Sequence, residues 1–450
     1  MKKLTFGIVA LGTACAFAAP TVSNVVMSQD NSSRLVTVTY DLADEPAIIT
    51  LDITTNGVSI GEENVYCLSG DVNRKVDAGT GHVLTWQPDK SWNGHKITDK
   101  SVRAVIKAWA KNNPPNYMVV DLTGTAETKF YTCEAALPGG ISNSYYRTSA
   151  MVMRRIPAQG VTWAMGQAGQ EPGGSAATEW QHAVTMDHDY YMGVFELTQG
   201  QYFNITGQRH YKNATNPDDS SSEIFCGSDW MLRPLDNLIV LEIRQMGTPY
   251  DYISGQGSYP AAPYRWSLLG QLRVKAPGFA FDMPSEAEWE YACRAGTPAG
   301  CWNDGSTIVS ASQDPNAPAR ASYKGGTPVP GDENYGVADK SQWTAKNGTA
   351  IVGSGTPNAW GLYDMHGNVW EACLDYYRAD LSEIASYVSK GEANAKNGTQ
   401  LDGTSGGGYT VVRGGAWDSD SADLRSARRK NQQTWNRAVG VRIVCPARID

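Results

Sequence analysis

The stretch from Asn358 to Glu371 constrains the fold of this chain most, and it reads NAWGLYDMHGNVWE. Its aromatic and apolar residues alternate with glycines and oxygen-bearing side chains, without a period long enough for a helix or a strand. Gly361 and Gly367 permit positive φ, so Asp364 and Glu371 can converge on one point with free carbonyls between them. Such an oxygen cage suits a hard cation such as calcium. The residues fit equally a tight buried turn whose carboxylates accept backbone hydrogen bonds.

The chain is long enough for more than one domain. At 450 residues it is about three times the ~150-residue length of a typical domain, so two or three domains are expected. Its 46 glycines and 14 tryptophans indicate a loop-rich globular fold rather than helical bundles. The net charge of −8 becomes −10 once Lys2 and Lys3 leave with an N-terminal leader, which argues against nucleic-acid binding.

Residues 1–19 have the pattern of a secretory signal peptide. Lys2 and Lys3 precede an apolar run from Leu4 to Phe17, and Ala16-Phe17-Ala18 fits the rule of small residues at the cleavage site. No other stretch approaches the 18 apolar residues of a membrane span. The sequence therefore predicts a secreted or periplasmic protein without a transmembrane anchor.

Residues 20–137 predict a small all-β domain. The runs Arg34–Tyr40 and Ala47–Ile53 alternate with period two, and Asn56-Gly57 is a hairpin signal. Short strands at this spacing favour an immunoglobulin- or fibronectin-like sandwich. No catalytic constellation is visible in it, so a spacer or docking role is expected, with residues 138–149 as a linker.

The remainder, residues 150–450, predicts a second domain rich in aromatic residues and glycine. Its best helix signal lies in Met283–Arg294, where Ser285 is the N-cap and Glu288 its capping-box partner. A shorter helix is predicted at Gln199–Ile205 behind the N-cap Thr198. The acidic residues of the first helix suit the helix dipole better than acid–base catalysis.

These segments resemble the formylglycine-generating enzyme family, also called the sulfatase-modifying factor family. The resemblance implies an α+β fold of C-type-lectin-like topology with little regular secondary structure. It covers residues 151–445, about two thirds of the chain. The matching stretches, in the order of the family, are Val194–Tyr202, Met283–Arg294, Asn358–Glu371, Val411–Trp417, Leu424–Arg428 and Gly440–Arg442.

The resemblance implies structural calcium. One calcium site of the family maps its ligands onto Asp364, the carbonyl oxygens of Gly367 and Val369, and Glu371. A further calcium site lies upstream in the family, and Asn334 is the nearest match to it.

The resemblance also shows what is missing. Active members carry two cysteines that bind copper, because a pair of soft thiolates favours Cu(I). Ser419 and Leu424 stand at those positions, and Ala416–Ser426 contains no cysteine. Iron-dependent relatives take their histidines from a separate helical domain, for which the sequence gives no sign. No copper or iron is therefore expected.

The cysteines carry one further expectation. Seven remain once a leader with Cys15 is removed, so a monomer would keep at least one unpaired thiol. Members of the family pair a cysteine of the Glu-Trp-Glu-Tyr helix with one after the final Gly-x-Arg. By that resemblance Cys293 and Cys445 form a disulfide.

Two classes of function remain. The first is a non-catalytic module that binds a carbohydrate or protein ligand through residues 416–437, whose aromatic and planar polar groups suit such ligands. The alternative reading of that stretch is a solvated loop with ion pairs. The second class is an enzyme with altered catalytic residues in the same cleft. The predicted ligand-binding residues are Trp417, Asp418, Asp420, Asp423, Arg425, Arg428 and Trp435.

Overall fold

The structure is a computed structural model of the full chain, and it forms two compact units, Met1–Lys111 and Asn112–Asp450. Asn334, Trp435 and residues 1–18 of the predicted leader lie outside the described residues. The described residues are 19–95, 101–124, 127–167, 171–210, 227–238, 240–244, 263–297, 302, 305–312, 314, 349–377, 379, 381, 410–432 and 438–449.

The first unit is built from short strands. A single turn of helix, α1 (Pro88–Ser91), lies between the last two of them. The strands are β1 (Thr21–Gln29), β2 (Val36–Ala43), β3 (Ala47–Thr55), β4 (Val58–Ser59), β5 (Leu68–Gly70), β6 (Lys75–Val76), β7 (Gly79–Trp86) and β8 (Arg103–Ala110).

These strands form two sheets around one core. One sheet has the order β1-β2-β7-β5, and in the other β3 pairs with β4, β6 and β8. Val38 and Leu84 of the first sheet and Ile49 of the second belong to the same buried cluster. The predicted hairpin is confirmed, because Asn56 and Gly57 have φ of 51° and 77° between β3 and β4. An immunoglobulin- or fibronectin-like topology stays a prediction.

The second unit holds the remaining strands and helices. Its strands are β9 (Tyr117–Asp121), β10 (Thr128–Tyr131), β11 (Ala150–Ile156), β12 (Thr162–Met165), β13 (His182–Thr185), β14 (Tyr190–Gly193), β15 (Trp370–Tyr376), β16 (Thr410–Arg413), β17 (Lys430–Gln432), β18 (Val439–Gly440) and β19 (Val444–Pro446). Its helices are α2 (Tyr145–Thr148), α3 (Gln199–Thr206), α4 (Val240–Arg244), α5 (Leu268–Lys275) and α6 (Glu286–Arg294).

The division between the units comes earlier than the sequence predicted. Strands β9 and β10, expected in the first domain, belong to a five-stranded sheet of the second unit with the order β10-β9-β11-β14-β19. Val119 of β9 lies opposite Val152 of β11 in the antiparallel ladder. The strands before and after the predicted linker, residues 138–149, therefore pair with each other and belong to one unit, which starts at Asn112.

Two smaller sheets complete the second unit, one with the order β17-β16-β15-β18 and the other the hairpin β12-β13. Its main core packs Trp289 and Cys293 of α6 against Tyr190 and Met192 of β14 and against Met365. The unit is a mixed α and β structure, rich in strands with few helices. The α+β prediction holds at that level.

The capping predictions are confirmed. Ser285 caps the N-terminus of α6 and forms a capping box with Glu288. Thr198 caps α3 and forms a capping box with Gln201. Within the described ranges, no helix is both long and apolar enough to cross a membrane.

Candidate functional site

The stretch predicted to organise the chain is a series of turns that ends in a strand. Gly361 and Gly367 have φ of 79° and 106°, and Asp364 and Asn368 also lie in the left-handed region. Strand β15 begins at Trp370, where the sequence had given no regular element. The turns point successive side chains in different directions, so this segment reaches several parts of the core.

Glu371 lies wholly inside the unit and is paired with an arginine. Its carboxylate accepts hydrogen bonds from Nη2 of Arg442 at 2.6 Å, from Nε of Arg442 at 2.9 and 3.1 Å, and from the indole of Trp289 at 2.7 Å. Arg442 also donates to the carbonyl oxygens of Gly193 and Tyr363. The acceptor capacity of the Glu371 carboxylate is therefore largely used by protein donors.

Glu196 is a second buried carboxylate beside the same stretch. It accepts hydrogen bonds from Nδ2 of Asn368 at 2.6 Å and from the backbone amide of Val369 at 3.1 Å. Burial, and then the negative charges of Asp364 and Glu371, raise the pKa of Glu196 well above its usual range. Sequence reasoning missed this residue, although an acid inside the apolar run Val194–Leu197 was a signal.

Asp364 keeps part of its surface exposed, and its Oδ2 accepts the amide of Gly353 at 2.6 Å. Burial raises the pKa of Asp364 to about 6, although that amide and Arg442 act in the opposite direction. Glu196, Asp364 and Glu371, called the acidic cluster below, lie near two arginines: Arg442 is ion-paired with Glu371, and Arg147 acts on Asp364. With all three carboxylates ionised, the cluster would carry one more negative charge than these two arginines balance.

The cluster fits a hard cation in part. Asp364, Glu196 and the carbonyl oxygens between Asp364 and Glu371 are hard oxygen donors beside an uncompensated negative charge. Glu371 fits less well, because Arg442 and Trp289 already occupy its oxygens. No three acidic, histidine or cysteine side chains of the described residues form a metal-binding group.

Ser419 and Leu424, at the positions of the family's cysteine pair, serve the local fold. The Ser419 hydroxyl accepts the amide of Ala416 at 3.0 Å, and Ser421–Leu424 form a short 3-10 helix that follows. Leu424 has no exposed surface and packs so close to Gly415 that a Cβ there would clash with it. Gly415 has a φ of 76°, so glycine is required at this turn on both grounds.

Two of the predicted ligand-binding residues lie inside the protein. Trp417 is 7% exposed, and Arg425 has no exposed surface. Arg425 donates to Glu179 at 2.7 and 2.8 Å and to Glu171 at 2.8 Å, and these bonds raise its pKa against the effect of burial. Arg425 therefore holds the segment in place and is not available to a ligand.

Four of the other predicted residues, together with Lys430, form a charged outer face. Asp420 and Lys430 are exposed, and Asp418, Asp423 and Arg428 are partly exposed. Arg428 donates to Oδ1 of Asp423 at 2.8 Å, and Lys430 lies 3.9 Å from the other oxygen of that carboxylate. These five residues are called the charged face below.

Two acids of α6, Glu286 and Glu290, pair with buried arginines, and one of these, Arg413, also donates to the carbonyl oxygen of Arg428. Arg294 donates to Glu290 at 2.8 Å, Arg429 donates to Glu286 at 2.9 Å, and Arg413 bonds to Glu290 as well. Burial alone would raise the pKa of Glu290, but Arg294 and Arg413 lower it overall. The two acids and the three buried arginines, called the arginine network below, hold β16 and the segment after it against α6, so the acids do more than complement the helix dipole.

The predicted disulfide between Cys293 and Cys445 is not formed. Cys293 is a free thiol with no exposed surface, and burial raises its pKa to about 12. Its Sγ lies near His366 and Ser426, whereas the Sγ of Cys445 contacts the carbonyl oxygen of Pro446. The two cysteines belong to different surroundings, because Cys445 lies on the strand β19 paired with Tyr191.

Comparisons with known proteins agree with this fold. The model of the sulfatase-modifying factor enzyme 1-like domain matches residues 147–447. A protein named serine/threonine-protein kinase pkn1 from Chlamydia pneumoniae is 35% identical over 147 residues, 33% of this chain and 18% of that protein. The formylglycine-generating enzyme of Thermomonospora curvata is 36% identical over 101 residues, 22% of this chain and 28% of the enzyme.

The chain therefore spans less than a third of the length of each of these two relatives. Among solved structures, PvdO from Pseudomonas aeruginosa gives a TM-score of 0.43 at 20% identity, covering 66% of this chain and 94% of PvdO. At that score the structural likeness adds nothing to the family match.

Proposed function

The chain belongs to the sulfatase-modifying factor enzyme 1-like domain family over residues 147–447, and from this premise we propose that it is a non-catalytic ligand-binding protein. The observation that carries the proposal is the loss of the cysteine pair. Ser419 offers a hydroxyl that stays protonated near neutral pH and is a poor ligand for Cu(I), and Leu424 has no lone pair. A family scaffold without its reactive groups supports a role in binding.

The charged face is the proposed binding surface. Carboxylates beside a guanidinium and an ammonium group suit a polar ligand, a carbohydrate or a protein surface, through directional hydrogen bonds. Arg425 and the arginine network hold the backbone of this face in place. Because the backbone is already ordered, little of its conformational entropy would be lost when a ligand binds. Trp435 was predicted for the same surface and stays a prediction.

Calcium is proposed as a structural ion of this domain. Asp364 and Glu371 would hold it with the carbonyl oxygens of Gly367 and Val369, with Glu196 beside them, and it would offset the negative charge of the acidic cluster. Bound only to the folded state, it would stabilise the domain by mass action. Chelation should lower the melting temperature, and an unchanged melting curve in excess chelator would count against the ion.

The proposed setting is the periplasm or the cell exterior, after removal of residues 1–19. The first unit is proposed to be an immunoglobulin- or fibronectin-like sandwich that acts as a spacer or docking module. N-terminal sequencing of the protein from the periplasm and the medium tests the first point. A retained Met1 in both fractions would contradict it.

The main test separates binding from formylglycine chemistry. Purified protein with copper and oxygen should leave the mass of a Cys-x-Pro-x-Arg peptide unchanged. On a glycan array the wild type should bind, and the double variant Asp420→Ala/Arg428→Ala should bind at least about tenfold more weakly. Val309→Ala, at an exposed residue of another segment, is the matched control. Copper-dependent loss of the peptide thiol with turnover would instead put an enzyme with altered catalytic residues first.

A further inference from the structure

Next to Leu424, three separate segments bring a thiol, an imidazole and a hydroxyl together in the core. The Sγ of Cys293 on α6 lies 3.8 Å from Nε2 of His366 and 3.6 Å from Oγ of Ser426. The carbonyl oxygen of Met365 lies 3.8 Å from the same sulfur. All three side chains are at most 2% exposed, and the proposed function uses none of them.

The orientation of the histidine ring is fixed. Nδ1 of His366 lies 2.8 Å from the carbonyl oxygen of Leu424. A carbonyl can only accept, so Nδ1 carries the proton, and in the neutral ring the lone pair is then on Nε2, the atom nearest Sγ. Histidines that bind metals commonly donate their other N–H to a carbonyl in this way.

The distance between sulfur and nitrogen suits a shared metal ion. An ion about 2.3 Å from a sulfur and about 2.0–2.1 Å from a nitrogen separates the two by roughly 3.5 Å at a tetrahedral angle and roughly 4.4 Å in a linear arrangement. The observed 3.8 Å lies between these limits. The separation of the two atoms therefore matches that of two ligands of one ion.

We propose that Cys293 and His366 bind one thiophilic monovalent cation of the Cu(I) class, with the Ser426 hydroxyl as a neighbouring oxygen. Soft sulfur with imidazole, and few ligands in all, suits such an ion better than Zn²⁺, which is usually held by four. The thiol proton is released to solvent as the ion binds, which leaves a neutral thiolate–cation pair.

The surrounding charges favour a monovalent ion. Arg294 and Arg413 lower the pKa of Cys293 and Glu290 raises it, and both arginines are bonded to Glu290. A divalent ion on the thiolate would leave a net positive charge in the interior, where an uncompensated charge is costly. A monovalent ion adds none.

This site differs from the positions of the family's cysteine pair, where no copper was expected. It uses neither Ser419 nor Leu424 as a ligand. The thiol of Cys293 has no exposed surface at which a substrate could reach it. The bound ion is therefore structural, and its presence would not make the protein a formylglycine-generating enzyme.

The test uses Ag(I), a soft monovalent ion that does not change its oxidation state. Accessible thiols of the native full chain are first blocked with N-ethylmaleimide, which the buried Cys293 escapes. Native mass spectrometry should then show one silver ion, and Cys293→Ser and His366→Gln should each weaken its binding by about 100-fold or more. Cys373→Ser, at a second buried thiol, is the control and should bind as the wild type does.

X-ray absorption on the Cu(I)-loaded wild type should show one sulfur and one nitrogen, a readout that needs no variant to fold. Calcium chelation should leave the silver stoichiometry unchanged, which separates this site from the proposed calcium ion. The proposal is overturned if the blocked wild type takes up no silver, or if Cys293→Ser binds it equally. Two sulfurs in the absorption spectrum, or displacement of the ion by equimolar Zn²⁺, would overturn it too.

Discussion

The acidic cluster and the arginine network lie in the same unit, but their charges balance differently. In the network, Glu286 and Glu290 face three arginines, each bonded to at least one of them. In the acidic cluster, three carboxylates lie near Arg442 and Arg147. Every charged side chain of the network is bonded to one of opposite charge, so the network serves the scaffold. In the cluster, Arg442 is ion-paired with Glu371, and among the described residues Glu196 and Asp364 form no ion pair, so the cluster gains from a bound cation or proton. Buried charge indicates a ligand only where it is unpaired.

Removing an arginine from the network should have the largest effect. Arg413→Met leaves Glu290 with Arg294 alone and removes the charge 3.6 Å from Glu286, which keeps Arg429; both acids lie in the interior. The free energy of unfolding should fall by about 3–5 kcal/mol, since removing one partner of a buried ion pair is strongly destabilising. Urea unfolding followed by circular dichroism measures it. A loss below about 1 kcal/mol would mean that the network is not what holds β16 to α6.

Removing a charge from the acidic cluster should stabilise the fold, whereas removing one from the arginine network destabilises it. In excess chelator, Asp364→Asn should raise the free energy of unfolding by about 1–2 kcal/mol, because it removes a buried charge and its repulsion with Glu371 and Glu196. With calcium the wild type should gain stability and the variant should not. The control is Glu371→Gln, which breaks the pair with Arg442 and should destabilise with and without calcium. An Asp364→Asn variant that responds to calcium as the wild type does would show that the residue is not a ligand.

A smaller, pH-dependent effect is expected beside the capping box of α6. Nε2 of His188 lies 3.3 Å from Glu288, and although burial lowers the pKa of His188, Glu288 and Asp187 raise it to about 9. The charged ring therefore stabilises the fold fully below about pH 6.5, and this contribution is lost as pH rises through 9. Because the side chain is 36% exposed, the contribution is about 1 kcal/mol.

Melting curves of His188→Gln against wild type should therefore differ at pH 6 and coincide at pH 10. The comparison with the interior network is direct, because Glu288 lies between Glu286 and Glu290 on the same helix but pairs near the surface. A difference that stays constant from pH 6 to pH 10 would assign the effect to packing of the ring rather than to its charge.

The smallest effect is expected on the charged face. Arg428→Ala removes the 2.8 Å bond to Asp423 and a longer, 3.8 Å contact with Glu179, but Arg428 and Asp423 are partly exposed, so the cost should be about 0.5 kcal/mol. A double-mutant cycle with Asp423→Ala should give a coupling energy below about 1 kcal/mol. A coupling as large as that of the interior pairs would make the face part of the scaffold and remove it as a binding surface.

Local signals in the sequence predicted much of the fold. Ser285 and Thr198 predicted the starts of their helices, because capping depends on residues only a few positions apart. Asn56-Gly57 predicted its hairpin for the same reason. The start of the second unit at Asn112 was not predicted, since it depends on β9 pairing with β11 across the expected linker. Strand pairing at that separation leaves no local trace.

The site was predicted less completely, and for a physical reason. Asp364 and Glu371 belong to one short stretch, so their convergence could be expected, but Glu196 and Arg442 come from distant segments. Composition also suggested that Arg425 would meet a ligand, whereas its three bonds to Glu171 and Glu179 lie inside the unit. A charged residue near a turn does not reveal whether its partner is solvent or another segment.

The bonds made by Arg425 from below have a consequence for how this protein can change over time. Because they lie beneath the segment, the shape of its backbone does not depend on which side chains stand above it. Asp418, Asp420 and Lys430 can then be exchanged with little penalty to folding, while Arg425 and Glu179 must be kept together. Variation should accumulate on the outside of this segment and be purged from its inside, so the proposed binding surface could change its specificity without a new fold.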